Sequence, residues 1–343
     1  MEAIKLASNE NPFGPSPKAL AAMRRVLGET HLYPDNDVSE LRDKLAEFHE
    51  IGPENIVPAA GSTGLLGVIA RTLLASGLNA ITSERSFIIY PMATQAAGGR
   101  IIQTAMREDG FDLDAILEAV NRDTRIVFLS NPNNPTGTIQ TASVIDHFLN
   151  KLPDHVTAVL DEAYYDFAEH FARLRGIDYS RAIDWVKQGR KLVVLRTFSK
   201  VHGLAGIRVG YGIGPAELMS HVERRRTTFS VSGLAQAAAV AALEDQSHIQ
   251  KTLENNARQA ERLIEQLAGL GYEVAPTWAN FLYCELKEDA ARVAQHMQQA
   301  GVIIRSLDAW GAPTAIRVTI GTPEQNDLFL RAFKKVTGRA AVR

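Results

Sequence analysis

KLVVLRTFSKVHGLAGIRVGYGI, residues 191–213, sets two apolar, β-branched runs on either side of a turn that holds Gly203, Gly206 and a lysine, Lys200. Short apolar runs bounded by turn residues read as strands buried on both faces. Similar runs recur upstream: ENIVPA near 56, NAITS near 80, RIIQTA near 101, TRIVFLS near 126 and VTAVLDEA near 158. Between most of them lie stretches such as DLDAILEAVNR and SVIDHFLNKL, whose apolar residues recur at intervals of three and four and so predict helices. This alternation specifies an α/β chain, a largely parallel sheet with helices on both faces. Ligands of such sheets bind beyond the carboxyl ends of the strands.

The pattern changes from about residue 233, where a long helical stretch (GLAQAAAVAALEDQSHIQKTLENNARQAERLIEQLAGLG) precedes strands near 281, 302 and 316 with amphipathic helices between them. A second, smaller α+β domain is expected there. The proline-rich start, NENPFGPSPKAL, reads as a turn and then a helix that packs beside the C-terminal part. The expected division is 1–35 as an N-terminal arm and part of the small domain, 36–244 as the large domain, and 245–343 as the small C-terminal domain.

Composition narrows the function classes. The chain has 343 residues, 45% apolar and 22% charged, with a net charge of −2, so no acidic or basic excess points to nucleic acid or membranes. The RRR of residues 224–226 lacks the interleaved aromatics of a nucleic-acid patch. One cysteine, Cys284, excludes an internal disulfide and is expected to be buried in NFLYCEL, which suits a reducing cytoplasm. No Cys/His spacing for a metal, Walker loop or dinucleotide glycine fingerprint is present.

Four polar stretches follow strand ends. GSTG (61–64) precedes a helix, whose first N–H groups with Ser62 and Thr63 make an anion site; alone, it is equally an ordinary helix cap. SNPNNPTG (130–137) is by itself a tight turn. Asp161 ends the run VTAVLD and alone would cap a helix, but held beside a ring nitrogen it would raise that nitrogen's pKa; Tyr164 could reach the same ligand. Lys200 alone is a solvated charge. With Arg208 eight residues on and hydroxyls from Thr197 and Ser199, it becomes an amine beside a phosphate cup, able to form a Schiff base.

In the order GSTG, SNPNNPTG, DEAYYDF, RTFSKVHGLAGIRVGY, the chain resembles the fold-type I aminotransferases that depend on pyridoxal 5'-phosphate, over essentially its whole length. LASNENPFGPSP, the LYPD of residues 32–35 and GVIIRSLDAWGAPTAIRVTIGT are most similar to the histidinol-phosphate aminotransferases and their aromatic aminotransferase relatives. The resemblance implies a large cofactor-binding domain with a mostly parallel central sheet and a smaller α+β domain. It implies that Lys200 carries the cofactor, that Asp161 pairs with the pyridine nitrogen, and that Asn134 and Tyr164 bond the phenolic oxygen. Ser62, Thr63, Thr197, Ser199 and Arg208 would hold the cofactor phosphate, and Phe87 would stack on the ring where the family often has tyrosine. The family commonly has acidic residues where Thr63 and Gly64 stand.

Arg317 and Arg305 match the arginines that grip the anionic end of the substrate, with Asn134 beside them and Phe13 and Trp310 suited to an aromatic ring. Tyr33 matches a tyrosine that crosses a two-fold interface to the partner's cofactor phosphate, which implies a homodimer. The implied reaction is ping-pong transamination between a small-molecule amino donor and a 2-oxo acid: L-histidinol phosphate and 2-oxoglutarate, giving imidazole acetol phosphate and glutamate in histidine biosynthesis. Phenylalanine/tyrosine transamination is the alternative, with threonine-phosphate decarboxylation and a cofactor-binding regulator without turnover behind it. His202 is set aside as a base because Lys200 can itself shuttle the proton.

Overall fold

The structure, a computed structural model, describes residues 3–338. Seven strands form its main sheet: β1 (Ile56–Ala59), β2 (Asn79–Ser83), β3 (Arg100–Thr104), β4 (Thr124–Ser130), β5 (Thr157–Asp161), β6 (Leu192–Thr197) and β7 (Gly210–Ile213), in the spatial order β1-β7-β6-β5-β4-β2-β3. All are the runs expected from the sequence, and β7 alone runs antiparallel to its neighbours, β1 and β6.

Each central strand is apolar on both sides because alternate residues enter different cores. Val127, Leu129, Leu160 and Val194 meet one set of helices, which includes Ala19 and Leu45. Phe128, Val159, Val193 and Leu195 meet the other, which includes Leu65, Tyr90 and Met219.

A second sheet of four strands, β8 (Glu273–Val274), β9 (Phe281–Glu285), β10 (Arg305–Leu307) and β11 (Ala312–Thr319), has the order β8-β9-β11-β10. Its alternate residues take opposite faces. Leu282, Cys284, Ile316 and Val318 enter a core with Phe329 and Phe333, so Cys284 is buried as expected, while Phe281, Arg317 and Thr319 take the opposite face.

The start of the chain divides where the sequence reading kept it together. Ile4–Lys5 pairs in parallel with Val302–Ile303, Thr319 donates its N–H to Leu6 O at 2.8 Å, and Leu6 lies in the small-sheet core. The helix Pro17–Val26, capped by Ser16 and led by a proline, instead packs on helix Gly233–Leu243, and its Ala19 lies in the large core. The long helical stretch is likewise two helices, Gly233–Leu243 and Gln246–Ala268. Asp245 breaks it: its carboxylate accepts from the Ser247 hydroxyl and the Lys18 N–H, local bonds that compete with helix continuation. Among the described residues no helix is long and apolar enough to cross a membrane.

Candidate active site

A cavity of about 420 Å³ lies between the carboxyl edge of the main sheet and the polar face of the small one. Of the residues expected to touch a ligand, all but Tyr33 and Phe13 line it. The main sheet explains the convergence: β1, β4, β5 and β6 end at one edge, and antiparallel β7 begins there, Gly210 standing opposite both Ala59 and Thr197. Arg208, just ahead of β7, is therefore brought beside residues that follow strand ends.

One end of the cavity is built to take an anion. Helix Gly61–Leu73 starts two residues after β1 and points its first N–H groups there, with Ser62 and Thr63 in its first turn. Arg208, in the left-handed region at φ 59°, donates to Ala205 O at 2.8 Å and to Ser199 Oγ at 3.3 Å. Thr197 Oγ1 accepts the Ser199 N–H at 3.1 Å, turning the chain as it leaves β6. Gly61 has φ 78°, and a Cβ there would stand 2.5 Å from Arg208 Nη2. At Gly210 a Cβ would stand 2.7 Å from Ser62 N, so the absence of a side chain is what lets the strand lie against the helix start.

The middle holds Asp161, Lys200, Asn134 and Tyr164. Asp161 is 3% exposed; its carboxylate accepts from the Tyr90 hydroxyl at 3.0 Å and the Ala163 N–H at 3.2 Å. Burial pushes its pKa up to about 6 against these bonds and the charge of Lys200. A positive ring N–H would relieve that cost, so the carboxylate suits a protonated pyridine. Lys200 Nζ lies 5.3 Å from the centre of the Tyr164 ring and 3.4 Å from Ser8 O, half-buried. Asn134 is freed by its neighbours: Asn133 accepts from Ser86 and donates to Thr136, each at 2.9 Å, and Asn131 is tied to Gln140. These asparagines hold the loop while Asn134 reaches the cavity and accepts from Arg317 Nη1.

The small sheet supplies the other end. Arg317 is 5% exposed, donates to Ala7 O at 3.0 Å, and leaves its buried Nε without a partner. Burial lowers its pKa, and Arg305, opposite it in register, adds to that. Neither arginine has an ion-pair partner within 4 Å among the described residues. Phe87 lies at the cavity wall, edge-on to Tyr90 at 5.7 Å, and Trp310 lies 5.8 Å beneath the Arg317 guanidinium. The donor set thus fits pyridoxal 5'-phosphate: an anion cup, a buried carboxylate, an amine between them and an aromatic wall.

Two expected residues are elsewhere. Phe13 lies under Lys251 Nζ at 4.3 Å, held in a turn by Asn11, and does not line the cavity. Tyr33 is 83% exposed and stacks on Phe229 at 4.7 Å.

Three supports were not found in the sequence. Tyr90 sits in the apolar helix Ile89–Ala96, where nothing distinguishes it from core. Asn9, which donates to Tyr164 Oη at 2.9 Å, stands in LASNENPFGPSP with nothing local to set it apart from Asn11. Glu162 and Arg196, adjacent to Asp161 and Thr197, form a buried pair with bonds of 2.8 and 3.1 Å that joins the ends of β5 and β6. That pair also borders a second cavity of about 460 Å³ behind Thr197. Among the described residues no His/Cys/Asp/Glu group is placed to hold a metal.

The family model described as aminotransferase class I and II matches residues 2–333. The chain is 43% identical over 340 residues to histidinol-phosphate aminotransferase 2 of Methylococcus capsulatus, covering 97% of this chain and 90% of the relative. It is 43% identical over 336 residues to histidinol-phosphate aminotransferase 2 of Pseudomonas fluorescens, covering 98% and 89%. The crystal structure of histidinol-phosphate aminotransferase from Sinorhizobium meliloti in complex with pyridoxal-5'-phosphate superimposes with a TM-score of 0.91 at 29% identity, covering 98% and 90%.

Proposed function

Since the chain belongs to the class I and II aminotransferases, we propose that it binds pyridoxal 5'-phosphate and transfers the amino group of L-histidinol phosphate to 2-oxoglutarate, giving imidazole acetol phosphate and glutamate. The names of its relatives support both halves of that reading. The structural observation that carries the substrate is the presence of two cationic poles in one cavity. Arg208 and a helix N-terminus lie at the edge of the main sheet, and Arg305 and Arg317 face each other in register on the small one. The first pole takes the cofactor phosphate; the second takes the phosphate of the substrate, whose charge and several oxygens match two guanidinium groups.

When bound, the cofactor supplies an electron-withdrawing ring that accepts the charge left when the substrate loses a proton. The chain supplies the rest. Lys200 Nζ takes the proton from the amino-bearing carbon of the substrate. Asp161, whose charged form a positive ring N–H would favour, holds a proton on the ring nitrogen. Asn134 and Tyr164 present donors to the phenolic oxygen, and Phe87 stacks against the ring. Ser62, Thr63, Thr197, Ser199 and Arg208 anchor the phosphate so that the reacting carbon faces the lysine.

Tyr33 and its exposed neighbours Leu27, Leu32 and Phe229 form an apolar surface suited to burial against a second copy, from which Tyr33 would reach the partner's phosphate site. A single buried thiol suits a cytoplasmic setting. Replacement of Lys200 by alanine should abolish turnover, and a kinetic panel should favour histidinol phosphate over phenylalanine. Full turnover by Lys200→Ala would refute the chemistry; a kcat/KM ratio strongly favouring phenylalanine would refute the substrate.

A further inference from the structure

Every polar atom of Asn9 is engaged. The residue is 1% exposed and sits at φ 57°, a left-handed conformation that asparagine tolerates better than most side chains. Its N–H donates to Thr319 Oγ1 at 2.9 Å, and its carbonyl accepts from Asn280 Nδ2 at 3.0 Å. Thr319 Oγ1, having accepted that N–H, has its own proton left for Asn9 Oδ1 at 3.3 Å. This fixes the orientation of the amide, so Nδ2 is the atom that donates to Tyr164 Oη at 2.9 Å. Thr319 ends β11 and Asn280 precedes β9, both in the small sheet, whereas Tyr164 follows β5 of the main sheet.

A phenol carries one proton. Because Tyr164 Oη accepts from Asn9, that proton is left to donate elsewhere. Tyr164 lines the cavity and is 4% exposed. We propose that Asn9 is a positioning residue: it fixes the Tyr164 hydroxyl as a donor toward the phenolic oxygen of the bound cofactor, and so lets the small sheet tune a site carried by the main one. This rests on the cofactor reading given above. Donation to the phenolic oxygen stabilises its negative charge and favours loss of the proton it shares with the Lys200 nitrogen, so the loaded enzyme should deprotonate at lower pH with Asn9 than without it.

The test is a pH titration of the visible absorption of the cofactor-loaded enzyme. Asn9→Gly removes the amide while keeping the left-handed backbone accessible. Asn9→Asp keeps the size but offers only acceptors, drawing the Tyr164 proton away from the cavity. Tyr164→Phe is the reference. Asn9→Gly should raise the midpoint by about half to one pH unit, Asn9→Asp should raise it at least as far, and Asn9→Gly should add nothing in the Tyr164→Phe background. A loaded Asn9→Gly enzyme with unchanged Tm and unchanged midpoint would overturn the proposal, as would a shift that adds in full to that of Tyr164→Phe. If Asn9→Gly does not fold, Asn9→Asp decides by comparison with the same change in the Tyr164→Phe background, where a shift of equal size, as the carboxylate's charge alone would give, would overturn the proposal. A wild-type enzyme with no pH-dependent visible band would instead refute the cofactor reading, whereas a band moved by Tyr164→Phe and not by either Asn9 variant would refute only this inference.

Discussion

Replacing Asp161 with asparagine should stabilise the cofactor-free protein and nearly silence the loaded one. The carboxyl titrates at about 6 rather than 3.8 because burial disfavours its charged form. Below about pH 4 it is protonated in folded and unfolded chains alike and costs nothing. Between about 4 and 6 the unfolded chain has lost the proton and the folded one keeps it, so stability falls as pH rises; above 6 the full cost is reached, about 3 kcal/mol. Asparagine removes that cost and keeps an acceptor for the Ala163 N–H, while the Tyr90 hydroxyl has Ser130 beside it as another partner. Urea unfolding of the cofactor-free proteins should show the variant more stable, with a gap about 1.5 kcal/mol wider at pH 8 than at pH 5. In the loaded enzyme a neutral amide cannot hold a proton on the ring nitrogen, and kcat should fall by about 10³-fold. A stability gap that does not widen with pH would refute the electrostatic argument; retained turnover would refute the role.

Gly61→Ala should weaken cofactor binding by about tenfold or more, since the added methyl strikes Arg208 Nη2 at a backbone angle that also disfavours alanine; absorbance titration of the cofactor-free enzyme measures it. Arg305→Gln should raise KM for histidinol phosphate by about 10–100-fold with kcat little changed, whereas Arg317→Gln should lower kcat as well because its guanidinium also bonds Asn134; steady-state kinetics separate the two. Tyr33→Ala and Lys200→Ala, each impaired alone, should regain about a quarter of wild-type activity when unfolded and refolded together in equal amounts, because half the dimers then hold one complete site. No recovery on mixing would place Tyr33 outside the partner's site.

Local pattern was enough for the elements. Six strands of the main sheet are visible as apolar runs because both of their faces are buried, the edge strand Arg100–Thr104 is legible from Ile101 and Ile102 although it is partly exposed, and the polar residues after the strands are informative because parallel strands end at one edge. Where two uses of similar residues compete, pattern failed. Nothing local distinguishes Asn133, which braces its loop, from Asn134, which faces the cavity; the motif's fit to the family separated them. Phe13 is suited by its ring to an aromatic substrate, but the turn made by Asn11 sets it under Lys251 and away from the cavity lining. The start of the chain was read as one unit, although its first residues complete the small sheet and its helix joins the large core.

By itself the sequence determined the alternation of strands and helices and, through the order of its motifs, pointed to the lysine, the carboxylate and the arginines as groups to expect in one site. The tertiary structure decided what lies across the gap. Tyr90 against Asp161, Asn9 against Tyr164 and Arg317 against Asn134 join residues separated by 71, 155 and 183 positions. The first depends on how the helix Ile89–Ala96 packs on the main sheet and the other two on how the small sheet is seated against it, and no local period or turn chemistry encodes either.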